Sequence, residues 1–588
     1  MGNQIKRYGG QLMKNARKFL ALVLSLVMLL ALGVTSYADY DYAANAKLFS
    51  TDYTGKTIIL HSNDVHGRLW GYAYMTAMKS FMEAAGAEKV LMVDAGDFSQ
   101  GSPYVSDSKG LSAVKMMNAA GYDVVTIGNH EFDFGYAQLM ENLKDAEFET
   151  ICANVYLDET GESILPATAV VEIELPAPEE AEQPAEGEEA PVVPDTLKIG
   201  FFGLETPETA TKVNPGLIQE ISFATFDDLY ASAQLAVDSL KEQNADLIIG
   251  LVHLGVAKES AANGYRSIDL YDKVTDIDFL IDGHSHTVMT AGENGEPIQS
   301  TGCYFANVGV VVIDNATKTI EDHFLIEAAN LPKDADVDAA AKEIMDAVDA
   351  EYGAVFATSE VDLNGERAPG NRTEQTNLGS LITDAMVWSV VSGGAMEAYY
   401  DAPVVGVTNG GGVRAPIPAG GVTKNDVKTV LPFGNTVAVI YVKGSELLEA
   451  LEASTFCTPD PIGGFPQTSG IEWTLDTTKE YDQGEVYTLD GKESSYFAPA
   501  SIQRVTITAI NGEPFDENAT YAVVTNNFCA AGGDTYNVFN RAYREGFGFD
   551  TGIPMDDAVI DYVADVLDGV IGQQYAEPSP DAVQIRAE

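Results

Sequence analysis

Basic residues are scarce in this chain. Its 588 residues include 34 Lys and Arg against 88 Asp and Glu, a formal net charge of −54. Binding to DNA or RNA depends on Lys and Arg displacing phosphate counterions, so this balance excludes a general polynucleotide binder. Any anionic substrate must instead meet a local positive site. Cysteine is scarcer still, with four in the whole sequence, too few for a disulfide framework. Cys152 and Cys303 lie in apolar, strand-like runs and read as buried thiols, while Cys457 and Cys529 are left as a pair that could bridge. Disorder and fibrous repeats are excluded too, because hydrophobic residues make up 46% and charged residues 21%, an ordinary globular composition. The length predicts three to four domains, or two large ones.

Long apolar runs are absent after the first forty residues. Within them, Lys6, Arg7, Lys14, Arg17 and Lys18 precede an apolar stretch at 19–34, and Ser36 and Ala38 supply small residues at a cleavage site. Basic, then apolar, then small is the order of a secretory signal peptide, here residues 1–38. The stretch falls short of the ~18–20 residues that span a bilayer. The expectation is therefore a secreted or cell-surface protein with no stable membrane span after cleavage. No C-terminal anchoring segment is legible.

What is present, from residue 57 onward, is a series of short apolar runs alternating with helical stretches: TIILHSND (57–64), KVLMVDAGD (89–97), DVVTIGNHE (123–131), ETICANV (149–155), LKIGFFGLE (197–205), ADLIIGLVHLG (245–255) and DIDFLIDGHSH (276–286). Unbroken apolar strands predict a sheet covered on both faces, hence an α/β unit over 57–330, preceded by a linker at 39–56. A segment rich in Pro, Glu and Ala at 175–195 cannot bury a core and reads as a solvated surface insertion. Residues 333–352 predict a helix with an apolar stripe, placed within an inter-domain linker at 331–357. The remainder, 358–588, reads as a second, smaller α/β unit, with a helix at NLGSLITDAMVWSVV (377–391) and strands at PVVGVTN (403–409) and TVAVIYV (436–442).

Polar residues gather where the first unit's strands end, and strand ends of layered α/β folds open into loops held by a rigid sheet. Of only seven histidines, five lie there: His66, His130, His253, His284 and His286. Beside them stand Asp64, Asp94, Asp97 and Asn129. In an extended segment residues i and i+2 face the same way, which predicts that Asp64 converges with His66, and His284 with His286. Imidazoles, carboxylates and an amide oxygen suit zinc, manganese or a similar divalent ion. There are too many ligands for one tetrahedral ion, so two ions about 3.5–4 Å apart, sharing a carboxylate, are expected.

The motifs D-x-H-G, G-D, G-N-H-E, H and G-H-x-H, in that order, resemble those of the calcineurin-like metallophosphoesterases. Over residues 57–545 the chain resembles the secreted 5′-nucleotidases, a family that includes bacterial UDP-sugar hydrolases and 2′,3′-cyclic-nucleotide phosphodiesterases. The resemblance implies a four-layer αββα metallophosphoesterase domain followed by a substrate-binding domain. It implies that Asp64, His66, Asp97 and His286 hold one metal, and that Asp97, Asn129, His253 and His284 hold a second, with Asp97 bridging. His130 would stabilise the transition state, oriented by Asp133. One departure is His286, where many 5′-nucleotidases have Gln or Asn; it reads as tuning metal affinity.

In the second unit NRTEQTNLG (371–379), with Arg372, resembles the family's phosphate-binding segment, and NGGGVR (409–414), with Asn409 and Arg414, its glycine-rich turn. Arginine grips phosphate oxygens bidentately; Arg367 is a further candidate. LPFGN (431–435) and NFCAAGGD (527–534) complete the set. By resemblance Phe433 and Phe528 sandwich the base, Asp534 contacts ribose, and Asn435 is a further substrate-binding residue. The implied activity is release of phosphate from nucleoside 5′-monophosphates. The alternatives are a 2′,3′-cyclic phosphodiesterase/3′-nucleotidase or UDP-sugar hydrolase on the same scaffold, and a secreted nucleotide-binding protein without turnover.

Overall fold

The computed structural model describes residues 45–175, 196–329, 331–392, 402–489 and 491–587. The leader at 1–38 and all but the first residue of the acidic insertion lie outside the described residues. Two six-stranded sheets form the first unit. One runs in the order Thr319–Glu327, Asn307–Asp314, Lys56–Ser62, Lys89–Asp94, Val124–Thr126, Glu149–Ile151. The other runs Val288–Met289, Ile298–Thr301, Phe279–Asp282, Leu247–His253, Thr196–Glu205, Thr168–Glu174.

The unbroken apolar runs are explained by two different cores. Along Lys56–Ser62, Ile58 and Leu60 face helices Tyr72–Ala84 and Leu111–Ala120. Ile59 points the other way, joining Leu91 and Val93 against Phe201, Ile249, Leu251 and Ile281 of the second sheet. Helix Asp227–Glu242 covers that sheet's outer face through Leu229, Val237 and Leu240. The result is four layers, helix, sheet, sheet, helix. Each fully buried Ile or Leu contributes about 1.5–3 kcal/mol. Lys56–Ser62, Lys89–Asp94 and Val124–Thr126 run parallel, as do Thr196–Glu205, Leu247–His253 and Phe279–Asp282. Their C-terminal ends are therefore delivered together.

The segment read as an N-terminal linker is packed: Leu48 and Tyr53 are buried in the first unit's helical core, and Asn45 donates to the Glu327 carbonyl at 3.1 Å. Helix Ala335–Tyr352 starts on Asp334, whose side chain accepts the N–H groups of Asp336 and Val337. It buries Val337 and Ala341 in the first unit. The next strand, Val355–Ser359, already pairs with Gly420–Thr423 and Val570–Ile571 of the second unit. Only Gly353 and Ala354 stand between.

The second unit is built on a mixed five-stranded sheet in the order Pro466–Ser469, Val404–Asn409, Thr520–Asn526, Thr436–Lys443, Gly548–Pro554. Helices Asn377–Ser392 and Met555–Asp565 cover one face, Gly444–Ala453 and Asn537–Arg544 the other. From it a hairpin, Gln483–Leu489 with Lys492–Pro499, reaches across to the first unit. Lys492 binds Asp158 at 2.6 Å, and the Ser495 carbonyl accepts from Asn263 at 2.6 Å. All four cysteines are free, so the bridge left open for Cys457 and Cys529 is not made; the Cys529 thiol instead faces Asn409 Oδ1 at 3.5 Å. Cys303 is half-buried rather than buried. Among the described residues no helix is long and apolar enough to cross a membrane.

Candidate metal centre and substrate cavity

Asp64 and His66 follow strand Lys56–Ser62, Asp97 follows Lys89–Asp94, and His253 ends Leu247–His253. Asn129 and His130 open a short turn, Asn129–Phe132, and His284 and His286 follow Phe279–Asp282. These residues do converge, but not by pleating. Asp64, His66, Asp97, His284 and His286 all have left-handed backbone, with φ of 50°, 46°, 65°, 71° and 57°. Five non-glycine residues in that region are strained and persist only where surroundings over-determine them. Here the Asp64 and His66 N–H groups donate to the carbonyls of Gly96 and Asp97 at 2.9 and 3.0 Å. The Asp64 carboxylate accepts the His284 N–H at 3.0 Å, joining the first strand-end loop to the last. Glu131, given no role by sequence, accepts four backbone N–H groups, from Asp97, Phe98, Ser99 and Gly128, at 2.6–2.9 Å. Glycine is required at 128 because a Cβ there would meet Asp97 Oδ1 at 2.4 Å and His253 Cε1 at 2.8 Å.

Three overlapping groups can hold a cation: Asp64, His66 and His286; Asp64, Asp97 and His253; and His66, Asp97 and His130. His66 Nε2 lies 2.9 Å from His286 Nε2, and Asp64 Oδ1 lies 3.4 Å from the latter. Asp97 Oδ2 lies 3.0 Å from His253 Nε2 and 3.8 Å from His66 Nε2. The residues fit a metal on their own chemistry. His253 Nδ1 donates to the Ala95 carbonyl at 2.6 Å. In the neutral ring its Nε2 carries a lone pair, buried and without a hydrogen-bond partner, facing a carboxylate oxygen. Two electron-rich atoms so placed call for a cation between them. Burial opposes charge on His253, yet Asp97, Asp64 and Glu205 hold its pKa well above the ordinary value, so the pocket favours positive charge. Burial drives His66 and His286 the other way, well below the ordinary imidazole value, the neutral form a ligand requires.

Asn129 and His284 stand apart from those three groups. His284 Nδ1 lies 2.9 Å from Asn129 Oδ1, and its Nε2 lies 3.0 Å from Glu208 Oε2. The His284 ring packs edge-on against His253 at 5.2 Å between centroids. His130 points its Nδ1 at Asp133 Oδ2, 2.7 Å away, because residues three apart eclipse in a 3₁₀ turn. Its Nε2 is 4.0 Å from Asp97 Oδ2.

A cavity of about 440 Å³ opens over this cluster. The first unit lines it with Asp97, Asn129, His130, Asp133, His284 and His286; the second lines it with Arg367, Arg372, Asn409, Arg414, Phe433, Asn435, Phe528 and Asp534. Asp64, His66 and His253 lie fully buried beneath. Among the described residues none of the three arginines makes an ion pair, and Arg414 Nε and Nη2 are shielded without an acceptor. Burial, then repulsion from Arg367 and Arg414, presses the Arg372 guanidinium down to about 9, still charged at neutral pH. Three unpaired cations facing an acid–imidazole cluster form an anion site. Arg414 also lies 5.7 Å over the Phe433 ring, which packs 5.5 Å from His130. Phe528 is buried, Phe433 half-buried, and Asn409 Nδ2 donates to Asp534 Oδ2 at 2.8 Å.

Sequence reading missed Glu208 and Glu259, both buried, and the largely buried Lys212 between them, beside the cavity. The available signal was LKIGFFGLE, the strand whose end had been given no chemistry: Glu208 and Lys212 follow it directly.

Comparison with known proteins agrees with this geometry. Residues 57–288 match the calcineurin-like phosphoesterase family and residues 355–541 the 5′-nucleotidase C-terminal domain. The trifunctional nucleotide phosphoesterase protein YfkN of Bacillus subtilis is 31% identical over 84% of this chain, which spans only 33% of that protein's length. Human 5′-nucleotidase is 26% identical, with 84% of this chain and 86% of that protein covered. The crystal structure of a 5′-nucleotidase precursor from Thermus thermophilus superposes with a TM-score of 0.71 at 28% identity, covering 91% of this chain and 100% of that one. Two family domains in one chain, meeting at one cavity, make this protein a member of the calcineurin-like phosphoesterases that carry a 5′-nucleotidase C-terminal domain, metal-dependent phosphomonoester hydrolases.

Proposed function

We propose that this chain is a secreted dimetal phosphohydrolase acting on nucleoside 5′-monophosphates. The observation that carries the reading is the cavity itself, with three unpaired arginines on one wall and the Asp–His cluster on the other. Asp64, His66, Asp97 and His286 would hold one divalent ion, and Asp97, Asn129, His253 and His284 a second, zinc or manganese; bound there, the ions supply Lewis acidity and a water of lowered pKa.

The chain's own side chains do the rest. Arg372 and Arg414, with Arg367 beside them, grip the phosphate bidentately and hold it toward the cluster. His130, oriented at Nδ1 by Asp133, presents Nε2 to the oxygens on which charge gathers. Phe433 and Phe528 take the base, which offers a π-face whatever its identity. Asn435 lies beside the base, and Asp534, positioned by Asn409, takes the ribose. The leader at 1–38 supports secretion.

The test is phosphate release from 5′-AMP, 3′-AMP, 2′,3′-cyclic AMP and UDP-glucose, with and without chelator. The expected result is fastest release from 5′-AMP, abolished by chelator and restored by manganese or zinc. Faster turnover of the cyclic or 3′ substrates assigns the scaffold to the alternative phosphoesterases. Tight nucleotide binding with no release from any substrate overturns the enzyme reading.

A further inference from the structure

Two buried carboxylates and a largely buried ammonium outside the cluster have no part in the mechanism above. Glu208 is 1% exposed and Lys212 10%, and Lys212 Nζ lies 2.7 Å from Glu259 and 3.6 Å from Glu208. Glu208 immediately precedes helix Thr209–Lys212, so Glu208 and Lys212 stand one turn apart on one face. Glu208 and Glu259 share the Lys212 ammonium, with Glu259 the nearer, so the buried Glu208 carboxylate calls for a further partner of its own. The partner that Glu208 faces is His284 Nε2, at 3.0 Å.

We propose that Glu208 is the positioning residue for His284: it accepts the Nε2 proton, leaving Nδ1 bare toward Asn129 Oδ1, and Lys212 holds it in place. A neutral imidazole has one proton to donate, and an ionised carboxylate is a stronger acceptor than an amide oxygen. Nδ1 and Asn129 Oδ1 are then two lone pairs 2.9 Å apart, a second gap that a cation fills. This inference rests on the two-metal reading, and it makes Glu208 specific to one ion of the two. Carboxylates behind ligating histidines fix the tautomer and raise ligand basicity, and their loss costs about 10–100-fold in metal affinity.

The test is titration of the chelator-stripped full chain with manganous ion, followed by calorimetry and by electron paramagnetic resonance. The wild type should bind two ions and give a spin-coupled signal. Glu208→Ala should weaken one ion by about 10–100-fold, leave the other unchanged, and give a mononuclear signal after one equivalent. Isosteric Glu208→Gln, whose amide oxygen still accepts, should lose less at the same ion and serves if the alanine variant does not fold. Because Glu208 acts through His284, adding Glu208→Ala to His284→Ala should cost nothing more. Wild-type affinity for both ions in the Glu208 variants, equal weakening of both ions, or additive losses in the double variant overturns the proposal. A wild-type chain that binds fewer than two ions overturns the two-metal reading itself, and this inference with it.

Discussion

Two histidines, His130 and His61, are buried for opposite ends. His130 sits at the cavity with Nδ1 engaged by Asp133 and Nε2 4.0 Å from Asp97 Oδ2, the longest of the imidazole–Asp97 separations. His130→Ala should keep both ions and lower kcat by roughly 10²–10⁴, whereas Asp97→Ala should lose metal. Elemental analysis of the two purified variants beside their turnover numbers checks the split. His61 is a core residue, with Nε2 2.8 Å from Gln299 Oε1 and its ring so close over Gly309 that a Cβ there would meet it at 2.0 Å. Burial lowers its pKa to about 4, against ~6.5 in the unfolded chain. Between those values the unfolded chain binds the proton and the native one does not. The stability His61 contributes is therefore complete above about pH 6.5 and declines as pH falls toward 4, by up to about 3 kcal/mol. His61→Asn should flatten that part of the profile relative to wild type, as measured by urea unfolding of the metal-free protein from pH 7 to 4.

At the scale of elements, the strands were legible and the loops only half so. Runs such as TIILHSND announce a strand apolar on both sides because Ile59 serves one core and Ile58 and Leu60 another. Where the ligands gather follows from the strand ends. How they converge does not, because an i, i+2 pleat was expected and left-handed backbone is found at Asp64, His66, His284 and His286. The sign of φ in a loop is set by bonds to residues distant in sequence, here the carbonyls of Gly96 and Asp97. Glu208 and Glu259 were illegible for a plainer reason: among 88 acids, two carry no contrast until folding sets Lys212 between them. The two cavity phenylalanines sit on different elements, and this separates their variants. Phe433 lies in the turn before strand Thr436–Lys443, half-buried, whereas Phe528, in helix Asn527–Ala530, belongs to the second unit's core. Either alanine variant should weaken nucleotide binding by about 1–3 kcal/mol and barely alter hydrolysis of an aryl phosphate that has no base. Only Phe528→Ala should also lower the melting temperature. Calorimetric Kd values, both hydrolysis rates and a thermal melt distinguish the two.

At the scale of the whole molecule, neither unit can grip and cleave alone: the Asp–His cluster belongs to one and the arginines to the other. On the function proposed above, product would leave as the cavity reopens, and domain motions of this sort take microseconds to milliseconds and often limit kcat. Lys258 of the first unit pairs with Asp460 of the second at 2.6 Å, and neither side chain lines the cavity. Cysteines at 258 and 460, joined by a short cleavable crosslinker, should suppress steady-state turnover while leaving metal content unchanged. Cleaving the crosslinker should restore the rate. Full turnover in the crosslinked protein would show that the units need not part.

The brevity of the joint between the units has its own consequence. A long tether lets two bodies drift apart and meet in many registers; Gly353 and Ala354, between a docked helix and a paired strand, permit swivel without extension. The span from the arginines and phenylalanines to the acid–imidazole cluster is then a fixed gauge whenever the units meet. On the function proposed above, a nucleotide whose phosphate stands too near its base, or too far from it, would find no slack in the chain to accommodate it, and the joint would measure a substrate that it never touches.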